Sequence, residues 1–191
     1  MALQDAVPPR RLFVTVGTTR FDALADAVGR PAFLAALRRA GFTHLTLQHG
    51  RSPRPTALAS AARNAADPDA VVDVAEVEGV HVTCYAYAAD LAADLHAADA
   101  VVSHAGAGSI LEALRAGKPL LVAVNTALQD NHQRELAEHL AAQGYLAVAD
   151  AVSPAALAAG VAAVVARPRM PWPTPPPGAA AFRSLVAGLL S

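Results

Sequence analysis

The stretch Val101–Leu121, VVSHAGAGSILEALRAGKPLL, decides the fold. With Ala100 ahead of it, its apolar start reads as a buried strand, and His104, Gly106 and Gly108 then interrupt the run. From Ser109 a helical pattern runs to Gly117 and Pro119, which stop it, and a second apolar run follows. Strand, glycine turn, helix and strand make one βαβ unit.

The same alternation extends outward. Residues 11–16, RLFVTV, read as a strand ended by Gly17. Residues 22–40 are helical, divided by Pro31, with Leu24, Val28, Phe33, Leu34 and Leu37 facing inward. A strand is expected over 43–50, two strand-like segments over 71–87, helices over 88–98, 108–116, 131–143 and 153–166, and strands over 100–103, 119–124 and 145–148. The prediction is an α/β, Rossmann-like open sheet, mainly parallel, with helices on both faces. One domain spans 1–166, with a surface excursion at 51–70 holding a short helix near 57–65. A proline-rich connector at 167–178 leads to a C-terminal helix over 179–191, with Phe182, Leu185, Val186 and Leu189 on one side.

Composition narrows the function. The 191 residues carry 15 basic and 16 acidic side chains, for a net charge of −1, with no basic cluster to serve as a nucleic-acid footprint. Cys84 is alone, in a strand-like run, and reads as a buried, inert thiol in a reducing compartment. Neither a secretory leader nor an apolar run long enough to cross a membrane is evident, so the chain reads as cytosolic.

A strand that enters a helix through glycines can hold an anion. The first helical N–H groups lack internal partners, and the helix dipole is positive there. Gly106 and Gly108 permit close backbone approach, and Ser109 either caps the helix or donates to a phosphate oxygen. Glu112 completes an S-x-x-E capping box with Ser109, a purely structural alternative. Neither G-x-G-x-x-G nor a Walker lysine is present, since GAGSIL ends in Leu111. Two further loops fall at the same sheet edge: GTTRFD, 17–22, and NTALQDNHQREL, 125–136, which contributes Asn125, Asp130, Asn131, His132 and Gln133. The bland reading of DNHQ is a helix N-cap. Three polar loops converging outside the carboxyl ends of the strands favour a nucleotide-type ligand.

Together, FVTVGTTRFD, VVSHAGAGSILEALRAGKPLLVAVN and QDNHQRELAEHLAAQGYL resemble the soluble catalytic subunits of the two-subunit UDP-GlcNAc transferase of dolichol-linked oligosaccharide synthesis. That family is similar to the carboxyl half of the bacterial GlcNAc transferase that makes the peptidoglycan lipid precursor. The resemblance covers about residues 11–150, apart from 51–80. It implies the donor half of a GT-B glycosyltransferase, binding UDP-GlcNAc, with a membrane-anchored partner subunit holding a dolichol-linked lipid acceptor at the cytosolic face of the endoplasmic reticulum. It implies that Gly106, Ala107, Gly108 and Ser109 face the diphosphate, that Gly17, Thr18 and Thr19 close over it, and that Glu112 reaches the ribose. Asp130, Asn131, His132 and Gln133 match the donor-sugar loop. His104 has two readings, a phosphate contact or a satisfied loop histidine.

The resemblance also implies a reaction without metal or cofactor, since amides at a helix N-terminus can stabilise a leaving diphosphate. No convincing general base is apparent: His44, His49 and His81 stand isolated in the sequence. His132 and His139, seven residues apart, lack the accompanying ligands of a zinc motif. The competing reading is a non-catalytic nucleotide-sugar-binding or regulatory module on the same fold.

Overall fold

The computed structural model describes residues 9–59, 72–126, 131–149, 151–168 and 170–173. Seven strands form one sheet: β1 (Arg10–Thr15), β2 (Phe42–Gln48), β3 (Val72–Val77), β4 (Val80–Tyr85), β5 (Ala100–His104), β6 (Leu120–Ala123) and β7 (Ala147–Val148). Their order is β3-β4-β2-β1-β5-β6-β7. Every neighbouring pair is parallel except β3–β4. That antiparallel edge is a hairpin turned by Glu78 and Gly79, at φ 52° and 73°. Two successive positive φ values suit the twist of a tight hairpin.

Helices cover both faces because the strand side chains alternate. Leu12, Val14, Val16, Ala100, Val102, Leu121 and Ala123 point to one face. There they meet Leu24 and Val28 of α1 (Asp22–Gly29), Phe33, Leu34 and Leu37 of α2 (Pro31–Arg39), Leu58 of α3 (Thr56–Ala59), and Leu157 and Val161 of α7 (Pro154–Ala166). Phe13, Val101, Leu120 and Val122 point to the other face. They pack on Leu95 of α4 (Ala92–Ala97), Ile110, Ala113 and Leu114 of α5 (Ala107–Arg115), and Ala137 and Leu140 of α6 (Asn131–Ala142). Strands buried on both faces read as continuous apolar runs, the feature visible in 100–102 and 119–124.

Pro31 divides the first helical stretch as expected: it occupies the first turn of α2, where its missing N–H leaves no bond unmade. The helix expected at 88–98 begins later, at Ala92, whose N–H donates to Asp90 Oδ1 at 2.8 Å. Residues 86–91 therefore form a loop. Of the short helix expected near 57–65, the described residues show Thr56–Ala59; residues 60–70 of that excursion, half of the proline-rich connector (169 and 174–178) and the tail at 179–191 lie outside the described residues. Within the described part of the connector, Trp172 packs edge-on against Tyr145, with ring centroids 5.0 Å apart.

The topology fixes where a ligand can sit. From β1 the chain winds through α1 and α2 to β2 on one side, while β5 adds to the other side of β1. The loops leaving β1 and β5 diverge, and the crevice opens where the strand order reverses.

Candidate functional site

That crevice is a cleft of ≈340 Å³ lined by Gly17, Thr18, Gln48, Tyr87, Ala88, Leu91, His104, Gly106, Gly108, Ser109 and Glu112. Helix α5 opens on it. Its N-cap is Gly106, at φ −69° and ψ 127°, and no side chain accepts a hydrogen bond there. The capping box expected from Ser109 and Glu112 is thus absent. The helix starts at Ala107, so Ser109 is already its third residue and cannot cap it. Ile110 N–H donates to the Gly106 carbonyl at 3.1 Å, whereas Ala107, Gly108 and Ser109 precede the first intrahelical donor. Their N–H groups leave the helix end electropositive and without a capping side chain. Glu112, one turn further on, is exposed beside the same cleft.

The glycines have distinct tasks. A methyl at Gly17 would lie 2.5 Å from His104 Cε1, and one at Gly106 would lie 2.2 Å from His104 Nε2. The imidazole is therefore clasped between two backbone segments that only glycine lets come so near. Gly17 also has φ 63°, in the left-handed region. Gly108 differs: a methyl there would have nothing within 4 Å. The fold gives no steric reason for a glycine at that position.

His104 is 8 % exposed. Burial pushes its pKa below the ordinary value, with a backbone contact to Thr15 opposing, so the ring is neutral at pH 7. Its Nδ1 is buried without a hydrogen bond.

The β1–α1 loop is held from beneath. Gln48, 2 % exposed, accepts from Thr15 Oγ1 at 2.6 Å and Gly17 N–H at 3.0 Å, and donates to the Gly17 carbonyl at 2.8 Å and the Ala86 carbonyl at 2.6 Å. Thr19 turns inward, its Oγ1 donating to the Val16 carbonyl at 2.8 Å, and does not line the cleft. Ala107 is exposed at the helix start but outside the lining. Asn125 Nδ2 donates to the Arg20 carbonyl at 3.2 Å, tying the loop after β6 to the loop after β1.

The third loop is only partly brought in. Asp130 lies outside the described residues, and Asn131 begins α6. The His132 side chain is 90 % exposed, with Nδ1 3.9 Å from Glu135 Oε2, and Gln133 is half-buried. Neither lines the cleft, although α6 follows a parallel strand and so starts at the same sheet edge.

Sequence reasoning missed Gln48, Tyr87, Ala88 and Leu91. The sequence reading puts Tyr87 at the end of a strand and Ala88 and Leu91 in a helix; placing the strand end at Tyr85 and the helix start at Ala92 would have put a fourth loop at this edge. His44 and His81 are not isolated but face each other across β2 and β4, with ring centroids 5.7 Å apart, away from the cleft. His49 is likewise engaged, its Nδ1 2.7 Å from the Ser52 carbonyl. Cys84 is buried, and burial pushes its thiol up to about 11. Metal-independent chemistry was also expected because no Asp-x-Asp was found; the chain does have one, Asp67-Pro68-Asp69, outside the described residues, so absence of that motif does not support the expectation.

Comparison with known proteins bears on this geometry. The mouse UDP-N-acetylglucosamine transferase subunit ALG13 is 41% identical over 140 residues, covering 72% of this chain but 10% of the mouse protein. This chain thus spans about a tenth of that relative's length. The Eremothecium gossypii subunit of the same name is 38% identical over 149 residues, covering 72% of this chain and 73% of its own. Among solved structures, the NMR solution structure of ALG13 superposes with a TM-score of 0.67 at 28% identity, covering 96% of this chain and 98% of that one. Acinetobacter baumannii MurG shares the fold, with a TM-score of 0.56 at 18% identity over 85% of this chain and 45% of its own. The family model of the glycosyltransferase family 28 C-terminal domain matches residues 11–174, and the chain belongs to that family.

Proposed function

We propose that this chain is the donor-binding subunit of a UDP-GlcNAc transferase that adds the second GlcNAc to dolichyl-diphosphate-GlcNAc, working with a membrane-anchored partner that holds the acceptor. The observation that carries the reading is the uncapped start of α5 at the switch point of the sheet. There a glycine with open space above it, Gly108, sits one turn from an exposed carboxylate, Glu112. The names of the relatives, transferase subunits for UDP-N-acetylglucosamine, supply the donor and the need for a second subunit.

The chemistry follows from the arrangement. Glycosyl transfer breaks the bond between the sugar's anomeric carbon and the β-phosphate oxygen, and negative charge builds on the departing UDP. The amides of Ala107, Gly108 and Ser109 point their partial positive charge where that diphosphate would lie, already oriented before the reaction. Glu112 is placed to accept from ribose hydroxyls. Tyr87, Ala88 and Leu91 form the apolar wall against which a uracil ring would pack. Asp130, Asn131, His132 and Gln133 would reach the sugar from the third loop. His104, neutral and clasped by glycines, supports the phosphate loops. The acceptor hydroxyl must lose a proton, and we assign the base to the partner or the interface. Among the described residues no helix is long and apolar enough to cross a membrane, so contact with a lipid acceptor, at the cytosolic face of the endoplasmic reticulum, falls to the partner.

The test has two arms. UDP and UDP-GlcNAc, without added divalent metal, should shift the amide resonances of Gly106, Gly108 and Ser109, and silence at millimolar ligand refutes the site. Transfer to a dolichyl-diphosphate-GlcNAc acceptor should be negligible for the chain alone and appear on co-expression with the membrane-anchored subunit. Binding without transfer in that complex would establish the non-catalytic alternative.

A further inference from the structure

We infer that Gln48 is a positioning residue that sets the spacing between the two walls of the donor cleft; this rests on the donor reading above. Gln48 ends β2, directly opposite Thr15 of β1 and Tyr85 of β4. Its amide therefore sits between the strand ends from which both walls depart. On one side it holds the two backbone polar groups of Gly17, accepting from the N–H at 3.0 Å and donating to the carbonyl at 2.8 Å. On the other it donates to the Ala86 carbonyl at 2.6 Å, at the root of the loop that carries Tyr87, Ala88 and Leu91. A fourth bond, accepted from Thr15 Oγ1 at 2.6 Å, completes the set. The Gly17 and Ala86 carbonyls, which only accept, and the Gly17 N–H, which only donates and is shared with Thr15 Oγ1 at 3.0 Å, fix which way the amide points.

All four hydrogen-bonding positions of the amide are thus used, two accepting and two donating. No other side-chain type can repeat the set at this length. A carboxylate would face two carbonyl oxygens, and an apolar side chain would release both. Gln48 also forms part of the cleft floor. Gly17 is the residue most in need of such a hold. Its left-handed φ of 63° and its contact with the His104 ring demand a fixed loop, and Thr18 beside it lines the cleft. Freed, the Gly17 side and the Ala86 side would settle independently. A ligand spanning both, with its diphosphate at one wall and its base at the other, would then meet a cleft of the wrong width, whereas uridine alone would not.

The experiment measures UDP and uridine affinity by NMR titration of the full chain at 15 °C for wild type, Gln48→Met and the core control Leu157→Ala, whose side chain on α7 is buried in the core and does not line the cleft. Gln48→Met should lower UDP affinity about tenfold or more, leave uridine affinity within about twofold, and shift the Gly17 and Ala88 amides in the ligand-free protein. Leu157→Ala should lower the melting temperature without changing UDP affinity. If Gln48→Met does not fold, Thr15→Val, which removes one of the amide's four hydrogen bonds, should give the same UDP-selective loss in milder form. Unchanged UDP affinity in a folded variant, or equal losses for UDP and uridine, overturns the positioning role alone. Failure of the wild type to bind UDP overturns the donor reading and this inference with it.

Discussion

Gly108→Ala separates a glycine kept for folding from one kept for a ligand. Position 108 is the second residue of α5, and a methyl there has nothing within 4 Å. In the free protein the substitution therefore adds no clash. It replaces the least favourable ordinary helix residue with the most favourable and trims the entropy of the unfolded chain, effects worth up to about 1 kcal/mol together at a helix start. In a chain of this size about 1 kcal/mol raises Tm by about 2–4 °C. The same methyl would stand in the space a diphosphate needs to reach the Gly108 and Ser109 amides. Loss of one or two charge-assisted hydrogen bonds, about 1.5–3 kcal/mol, lowers UDP affinity about 10- to 150-fold. Thermal melting and UDP titration on one preparation read both quantities. The expected result is a variant more stable and less able to bind. Full UDP affinity in Gly108→Ala would refute the close-approach argument, and a fall in Tm would refute the claim that the position is sterically open.

Glu112→Ala should leave Tm nearly unchanged, because the side chain is exposed and no capping box forms. It should weaken UDP-ribose recognition about 10- to 150-fold, while affinity for inorganic diphosphate, which lacks the ribose, stays the same. The buried imidazole of His104 gives a pH signature. Its folded-state pKa lies below 6.5, so on acidification the unfolded chain takes up the proton first, and the stability present above about pH 6.5 is lost as pH falls towards the folded value. Melting curves from pH 7.5 to 5 should show that loss. His104→Gln should reduce it without abolishing it, since the His44 pKa is also lowered, by burial and by Arg11. An unchanged pH dependence in His104→Gln would show that the histidine does not titrate in this range.

The layered sheet was legible because its signals are local. Apolar runs bounded by Gly17, Gly117 and Pro119 mark strands buried on both faces, and Pro31 marks a helix start wherever it follows a turn. The candidate site was legible only in part. Ser109 is a good capping residue, but the chain already adopts helical geometry at Ala107, and nothing in the local pattern distinguishes a serine at the cap from one three residues later. The alanine-rich 88–91 favours helix by propensity, yet Asp90 accepts from the first N–H of α4 and the residues before Ala92 form a loop beside the cleft. Gln48 was invisible for a different reason. Its partners are backbone groups 31 and 38 residues away, and a polar residue ending a strand carries no local mark of being a clamp.

The central place of β1 has a consequence for the order in which the protein can assemble. Of the strands in this sheet it is synthesised first, yet it is flanked by β2 on one side and β5 on the other, some thirty and ninety residues later. Until residue 103 has been made, one long edge of the innermost strand has no partner and its apolar side chains are half covered. Contacts of such separation in sequence slow folding, because the closing of a long loop precedes any return from pairing. A nascent chain halted before β5 presents an open, apolar strand edge of the kind that pairs with other chains. The cleft is thus among the last features to exist, and any folding defect in β5 should surface as aggregation during synthesis rather than as a folded protein with a weakened site.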